Sequence, residues 1–291
     1  YDPTALPLPA RLATPAAERA NHPFFGPTIA SKSPAGNVVG FPDLEATNEN
    51  TQTLRSIYLG LITEVDVHIG RVVQFLKDTG QYDNTLLIVT ADHGEMLGDR
   101  HCWSKFTVHD AAYHTPLIIR QPDNEVRAGA TVNVPVETID ITPTILDWVG
   151  QAVPNSMDGR SLLPLLAGEM PQDWRSYSFS ELDFGEPLAP TVWQQALGTG
   201  CTDSSLSILR EERFTLIEFA AELAPILYDH AGDGEAANVA ERPEHQSELA
   251  RLGRKMLRHR MRNADQTLSL TSITADGPKD VQRHPRRSGR N

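Results

Sequence analysis

Apolar side chains between Thr51 and Lys77 recur at spacings of three, four and one: Leu54, Ile57, Tyr58, Leu61, Ile62, Val65, Ile69, Val72, Val73 and Leu76. That period predicts one long amphipathic helix, which Gly80 in "DTGQYDNT" brings to a stop. The pattern then switches. "TLLIVT" (85–90) is apolar on both faces and rich in β-formers, which predicts a central strand of a covered, parallel sheet. "TPLIIRQP" (115–122) predicts a second short buried strand between two prolines. "ETIDITPTILDWVG" (137–150) predicts a helix with Asp140 as N-cap and Pro143 in its first turn, where a missing N–H costs nothing. Helix, strand, loop, strand, helix is the order of a doubly wound α/β sheet.

Past "DGRSLLPLLAGEMP" the pattern changes again. "SLSILREERFTLIEF" (205–219) places two short apolar runs around "REER", which predicts a hairpin, and "PILYDH" offers a third strand. "PEHQSELARLGRKMLRHRMRNA" predicts a helix with Leu249, Leu252, Met256 and Leu257 on one face. Before Thr51, "LPLP", "FFGP" and "KSPAGN" are turn signals. The division expected is a loop-rich connection over 1–46, α/β over 47–170, a smaller α+β subdomain over 171–265, and an extended or disordered basic tail over 266–291.

Composition narrows the class. Hydrophobic residues at 40% and charged residues at 22% of 291 are ordinary for a globular protein, and no apolar run nears the roughly 20 residues of a membrane span. A net charge of −12 argues against nucleic acid as a partner. The charge is uneven, because the last stretch, from Arg251, is strongly basic and the rest correspondingly acidic. Such an arm could dock on a neighbouring subunit, and a homo-oligomer is expected of the full-length protein. Cys102 and Cys201 make no metal pattern and are expected to be free thiols in a reducing compartment, the cytoplasm. "YDPTALPLPARL" has no initiator Met, basic n-region or apolar h-region, and reads as the interior of a longer polypeptide.

The chemistry concentrates at the end of the first strand. Asp92 and His93 offer an oxygen donor and an imidazole side by side, and Gly94 lets the backbone bend so that both can face one ion. Oxygen plus imidazole suits Mn, Zn or Mg, and Ca where carboxylates dominate. By itself a strand-end Asp-His more often caps a turn. Lys105 in "HCWSKF" lies between Trp103 and Phe106, so its stem can run over apolar surface with the ammonium in a cleft. A cation there would neutralise charge on a transferring phosphoryl or sulfuryl group.

"LLIVTADHGEMLGDRHCWSK" resembles the metal loop of the sulfatases and phosphonate monoester hydrolases of the alkaline phosphatase superfamily. "TPLIIR", "VETIDITPTILDWVG" and "MDGRSLLPLLAG" follow in the family's order, and "DWRSYSFSELDFGEP" and "LIEFAAELAPILYDHAGDGEAANVA" look like the C-terminal half of the phosphonate monoester hydrolase branch. The resemblance spans about 40–275. It implies a partial alkaline-phosphatase-like sheet with a smaller C-terminal subdomain. It also implies a divalent cation, Mn or Ca, held in part by Asp92 and His93, and contact of Lys105 with the oxygens of a small-molecule phosphonate, phosphate or sulfate ester.

The same resemblance implies parts that this chain lacks. The family's nucleophile is a formylglycine made from cysteine in Cys-x-Pro-Ser-Arg, whereas Cys102 precedes "WSKF" and Cys201 precedes "TDSS". The early Asp-rich strand end and the leaving-group histidine are also missing, and His22 falls too late to match. A C-terminal portion, inactive alone, is therefore expected. Arg100 and His114 depart from the family pattern and are expected to back the site residues or to be structural. The alternatives are an arylsulfatase or phosphodiesterase of the same superfamily, or a non-catalytic remnant serving as scaffold. No G-x-S-x-G, Walker loop or G-x-G-x-x-G is present to support another hydrolase or a nucleotide site.

Overall fold

The computed structural model describes residues 1–122, 128–154, 156–264 and 271–280. The segment expected to be irregular contains three short helices: α1 (Pro15–Asn21), α2 (Phe25–Ser31) and α3 (Pro34–Asn37). Two of its prolines start helices. Pro15 and Pro34 stand in first turns, behind Thr14 and Ser33, whose side chains accept from the amides of Ala17 and Gly36.

The periodic stretch forms α4 (Asn48–Asp78), capped by Thr47. Its apolar stripe does not meet a core among the described residues: Ile57, Leu61, Val65, Val72 and Phe75 are all more than half exposed, and Thr51 alone in the helix is buried. β1 (Leu87–Thr90) and β2 (Leu117–Arg120) pair antiparallel, Leu87 opposite Arg120. This corrects the expectation of a covered parallel strand. β2 pairs with β1 in the opposite sense and leaves Ile118 facing outward. The short α5 (Asp110–Tyr113) lies between them.

α6 (Ile141–Trp148) and α7 (Leu163–Leu166) follow. Asp140 precedes α6 as expected, but its buried carboxylate does not cap that helix. It accepts from the amides of Glu137 and Arg160 and pairs with Arg175.

The C-terminal part is built on a four-stranded antiparallel sheet ordered β3 (Ser178–Asp183), β4 (Ser205–Arg210), β5 (Phe214–Phe219) and β6 (Ile226–Asp229). The predicted hairpin and third strand are β4–β6. β3 went unread because its side chains are only partly buried and do not alternate strongly. Period-2 alternation splits the apolar residues between two faces. Leu206, Ile208, Ile217, Ile226 and Tyr228 join Phe24 and Phe25 at α2, Trp193 of α8 (Val192–Leu197), and Val108. Leu209, Leu216 and Leu227 face Leu252 and Met256 of α9 (Gln246–Asn263). Leu257, expected on that same face, is exposed. Within the expected tail, β7 (Thr271–Thr274) and β8 (Gly277–Asp280) form a hairpin, and 281–291 lies outside the described residues.

Candidate active site

Asp92 and His93 leave the carboxyl end of β1 in a turn set by three local bonds. The His93 amide donates to Asp92 Oδ1 at 3.0 Å, which leaves Oδ2 free. His93 Nδ1 lies 2.8 Å from the Gly94 carbonyl oxygen. A carbonyl only accepts, so Nδ1 carries a proton, and in the neutral tautomer that this selects Nε2 presents a lone pair. That lone pair is 3.6 Å from Asp92 Oδ2. The Gly94 amide donates to the Ala112 carbonyl at 2.9 Å, docking the turn against α5. A Cβ on Gly94 would lie 2.0 Å from the Ala111 carbonyl oxygen, so the approach requires glycine.

Two donors facing each other without a proton or cation between them repel. A shared divalent ion lies about 2.0–2.4 Å from an imidazole nitrogen or a carboxylate oxygen, which a 3.6 Å separation accommodates. The Asp92 side chain is 85% exposed and that of His93 35%, so the pair is open on one side. Among the described residues no third His, Cys, Asp or Glu completes a cluster with them. The pair fits part of a coordination shell and leaves the rest to other ligands.

Lys105 follows a compact loop. Arg55 of α4 donates to the Leu97 carbonyl at 3.0 Å and pairs with Asp99 at 2.6 Å, while a Cβ on Gly98 would strike the Thr51 methyl at 2.8 Å. The N-terminal segment braces the other side through Arg100 N to Ala10 O and Ala10 N to Asp99 Oδ1. Beyond the lysine, Phe106 and Val108 pack on the C-terminal core, and Trp103 is buried. Lys105 is partly buried, and among the described residues its ammonium makes no hydrogen bond or ion pair.

His22 and Arg100 have structural partners. His22 is buried, stacks on Phe219 at 4.7 Å and bonds to the Ala224 carbonyl. Arg100 approaches the buried Glu18 at 3.9 Å, and His114 is exposed. Both thiols are free; burial pushes that of Cys102 up to about 12, so it is no nucleophile at neutral pH. Sequence reading missed His109, held between Phe25 and Tyr228 and driven down to about 3 by burial. It also missed Glu235, which accepts from the Asp110 amide at 2.7 Å and which burial raises to about 7. Glu235 falls inside the quoted "GDGEAANVA" and His109 four residues past Lys105, but only the folded chain shows their burial.

A sulfatase family profile matches residues 17–151, and a profile for the C-terminal part of N-sulphoglucosamine sulphohydrolase matches 98–262. The chain belongs to the sulfatase family of the alkaline phosphatase superfamily. It is 36% identical over 272 residues to a multifunctional alkaline phosphatase superfamily protein, PehA, of Trinickia caryophylli, covering 92% of this chain and 52% of that one. The phosphonate monoester hydrolase of Silicibacter pomeroyi superposes with a TM-score of 0.92 at 63% identity, over 98% of this chain and 56% of the other. The corresponding enzyme of Agrobacterium radiobacter superposes at 0.85 with 35% identity, over 97% of this chain and 56% of the other. The chain thus spans about half the length of these relatives. Among the described residues no helix is long and apolar enough to cross a membrane.

Proposed function

We propose that this chain forms one wall of the active site of a metal-dependent hydrolase of phosphonate, phosphate or sulfate monoesters. Asp92 Oδ2 and His93 Nε2 hold a divalent cation, Mn or Ca, and Lys105 contacts the oxygens of the ester group. The observation that carries the reading is the convergence of those two lone-pair atoms to 3.6 Å at a strand end, with the histidine tautomer fixed by the Gly94 carbonyl. Similarity to phosphonate monoester hydrolases supports the ester class.

When bound, the cation supplies charge that polarises the ester oxygens and the nucleophile. The chain's own residues hold the ligands in place and balance charge. Asp92 Oδ1, tied to the His93 amide, fixes the rotamer that leaves Oδ2 available. His93 keeps its proton on Nδ1 and offers Nε2 as a ligand throughout. The Lys105 ammonium balances negative charge gathering on the transferred group. The nucleophile, a formylglycine, comes from sequence outside this chain, so the chain alone turns over no ester.

The test is metal content and arylphosphonate turnover of the full-length polypeptide carrying this chain. Asp92→Ala and His93→Ala should each lose the bound metal and all measurable turnover. Wild-type metal stoichiometry and rate in either variant refutes the reading.

A further inference from the structure

Glu95 sits one residue beyond Gly94 and ties together the two ends of the loop that leads to Lys105. Its Oε1 accepts from the Ser104 amide at 2.6 Å and from the Leu97 amide at 3.2 Å. Next to it, the Met96 amide donates to the Ser104 carbonyl at 3.2 Å. Ser104 is thereby gripped through both its N–H and its C=O by two consecutive residues that follow directly on the metal-site turn. Further in, the Gly98 amide donates to the Cys102 carbonyl at 2.9 Å, closing the loop on itself.

The grip opposes a conformation the chain does not adopt freely. Leu97, Arg100, His101 and Ser104 have φ of 45°, 52°, 55° and 64°. Each such residue is strained unless its surroundings hold it. Ser104 is the last of the four and adjoins Lys105, so its left-handed backbone sets the direction in which the lysine leaves the loop. A carboxylate accepting from two backbone amides makes charge-assisted bonds of above-average strength. Without it the Ser104 N–H keeps no other described partner in a partly buried position.

We propose that Glu95 is the positioning residue for Lys105: it holds Ser104 in the left-handed conformation that aims the ammonium toward the space in front of Asp92 and His93. This rests on the reading of Lys105 given above. Glu95 acts on the reaction through the lysine and touches neither substrate nor metal.

The experiment is a double-mutant cycle in the full-length polypeptide, with Glu95→Ala, Glu95→Gln, Lys105→Ala and Glu95→Ala/Lys105→Ala, reading kcat, KM and bound metal. Glu95→Ala should lower kcat about 10- to 100-fold, the scale of a misplaced catalytic group, with metal stoichiometry unchanged. Glu95→Gln keeps an oxygen where both amides point and should retain most of the rate. In the Lys105→Ala background, Glu95→Ala should cost little more, because the group it aims is gone. If Glu95→Ala fails to fold, Glu95→Met, which keeps the stem without the acceptor, takes its place in the cycle. A Gln variant as slow as Ala, loss of metal in the Ala variant, or losses that multiply across the cycle overturns the proposal. If Lys105→Ala is slow while Glu95→Ala is not, this inference falls alone. Full turnover in Lys105→Ala sinks the reading of the lysine and this inference together.

Discussion

Arg175 and Asp140 face each other through two parallel hydrogen bonds, Nη1 to Oδ2 at 2.6 Å and Nη2 to Oδ1 at 2.7 Å, with the aspartate wholly buried. The same guanidinium reaches Glu137 at 2.8 Å. This fork joins the start of α6 to the segment that leads into β3. Removing one partner of such a buried pair strands the other, which typically costs about 3–5 kcal/mol. Arg175→Ala should lose stability of that order in urea unfolding. A loss under about 1 kcal/mol would mean that water reaches Asp140 readily.

Gly94→Ala forces a methyl group into the space of the Ala111 carbonyl. The turn must then lift from α5 and break the Gly94–Ala112 bond. We expect destabilisation of about 1–3 kcal/mol, as for other overpacked sites, with bound metal falling further than the melting temperature implies. Titration of metal against thermal stability checks both, and unaltered metal affinity would show that the turn tolerates the shift.

Glu235 makes stability depend on pH in a defined direction. Unfolded, its carboxyl loses its proton near the ordinary 4.5; folded, burial keeps the proton on to about 7. Between those values the folded state holds the extra proton, so this group's contribution is full below the window and declines as pH rises through it. Glu235→Gln keeps the acceptor for the Asp110 amide without ionising. Its unfolding free energy should match wild type near pH 4.5 and exceed it above pH 7, by up to about 1.4 kcal/mol for each pH unit of the window crossed, with the melting temperature moving in the same sense. Parallel curves for the two proteins would contradict a buried, proton-retaining carboxyl.

The apolar stripe of α4 carries a fourth expectation. Leu61 and Val65 are 54% and 57% exposed, one turn apart on the helix. Open apolar surface of that extent drives association. The chain by itself should self-associate or bind a hydrophobic dye, and Leu61→Glu/Val65→Glu should reduce both. A monomeric, dye-silent wild-type chain would be evidence against it.

What the sequence revealed followed from how local each signal is. The 3–4 spacing of α4 and the two apolar runs of β4 and β5 around "REER" are readable because a helix or hairpin is specified within a few residues. Burial is another matter. The spacing in α4 gives an apolar face, and whether that face is covered depends on what packs there. Asp92 and His93 were legible because neighbours in sequence share a turn. Glu95 was not, since a carboxylate nine residues from Ser104 looks like any surface acid until the loop closes. Phe24 and Phe25 were hidden too: prolines suggested loop, and their place in the core depends on β4–β6, almost 200 residues later.

The two sulfurs differ in a way that serves the bench. Cys102 is shut away and holds its proton, while Cys201 is on the surface near the β4 entrance. A maleimide should therefore label one position only, and a fluorophore or spin label can be attached there without engineering out a second reactive group.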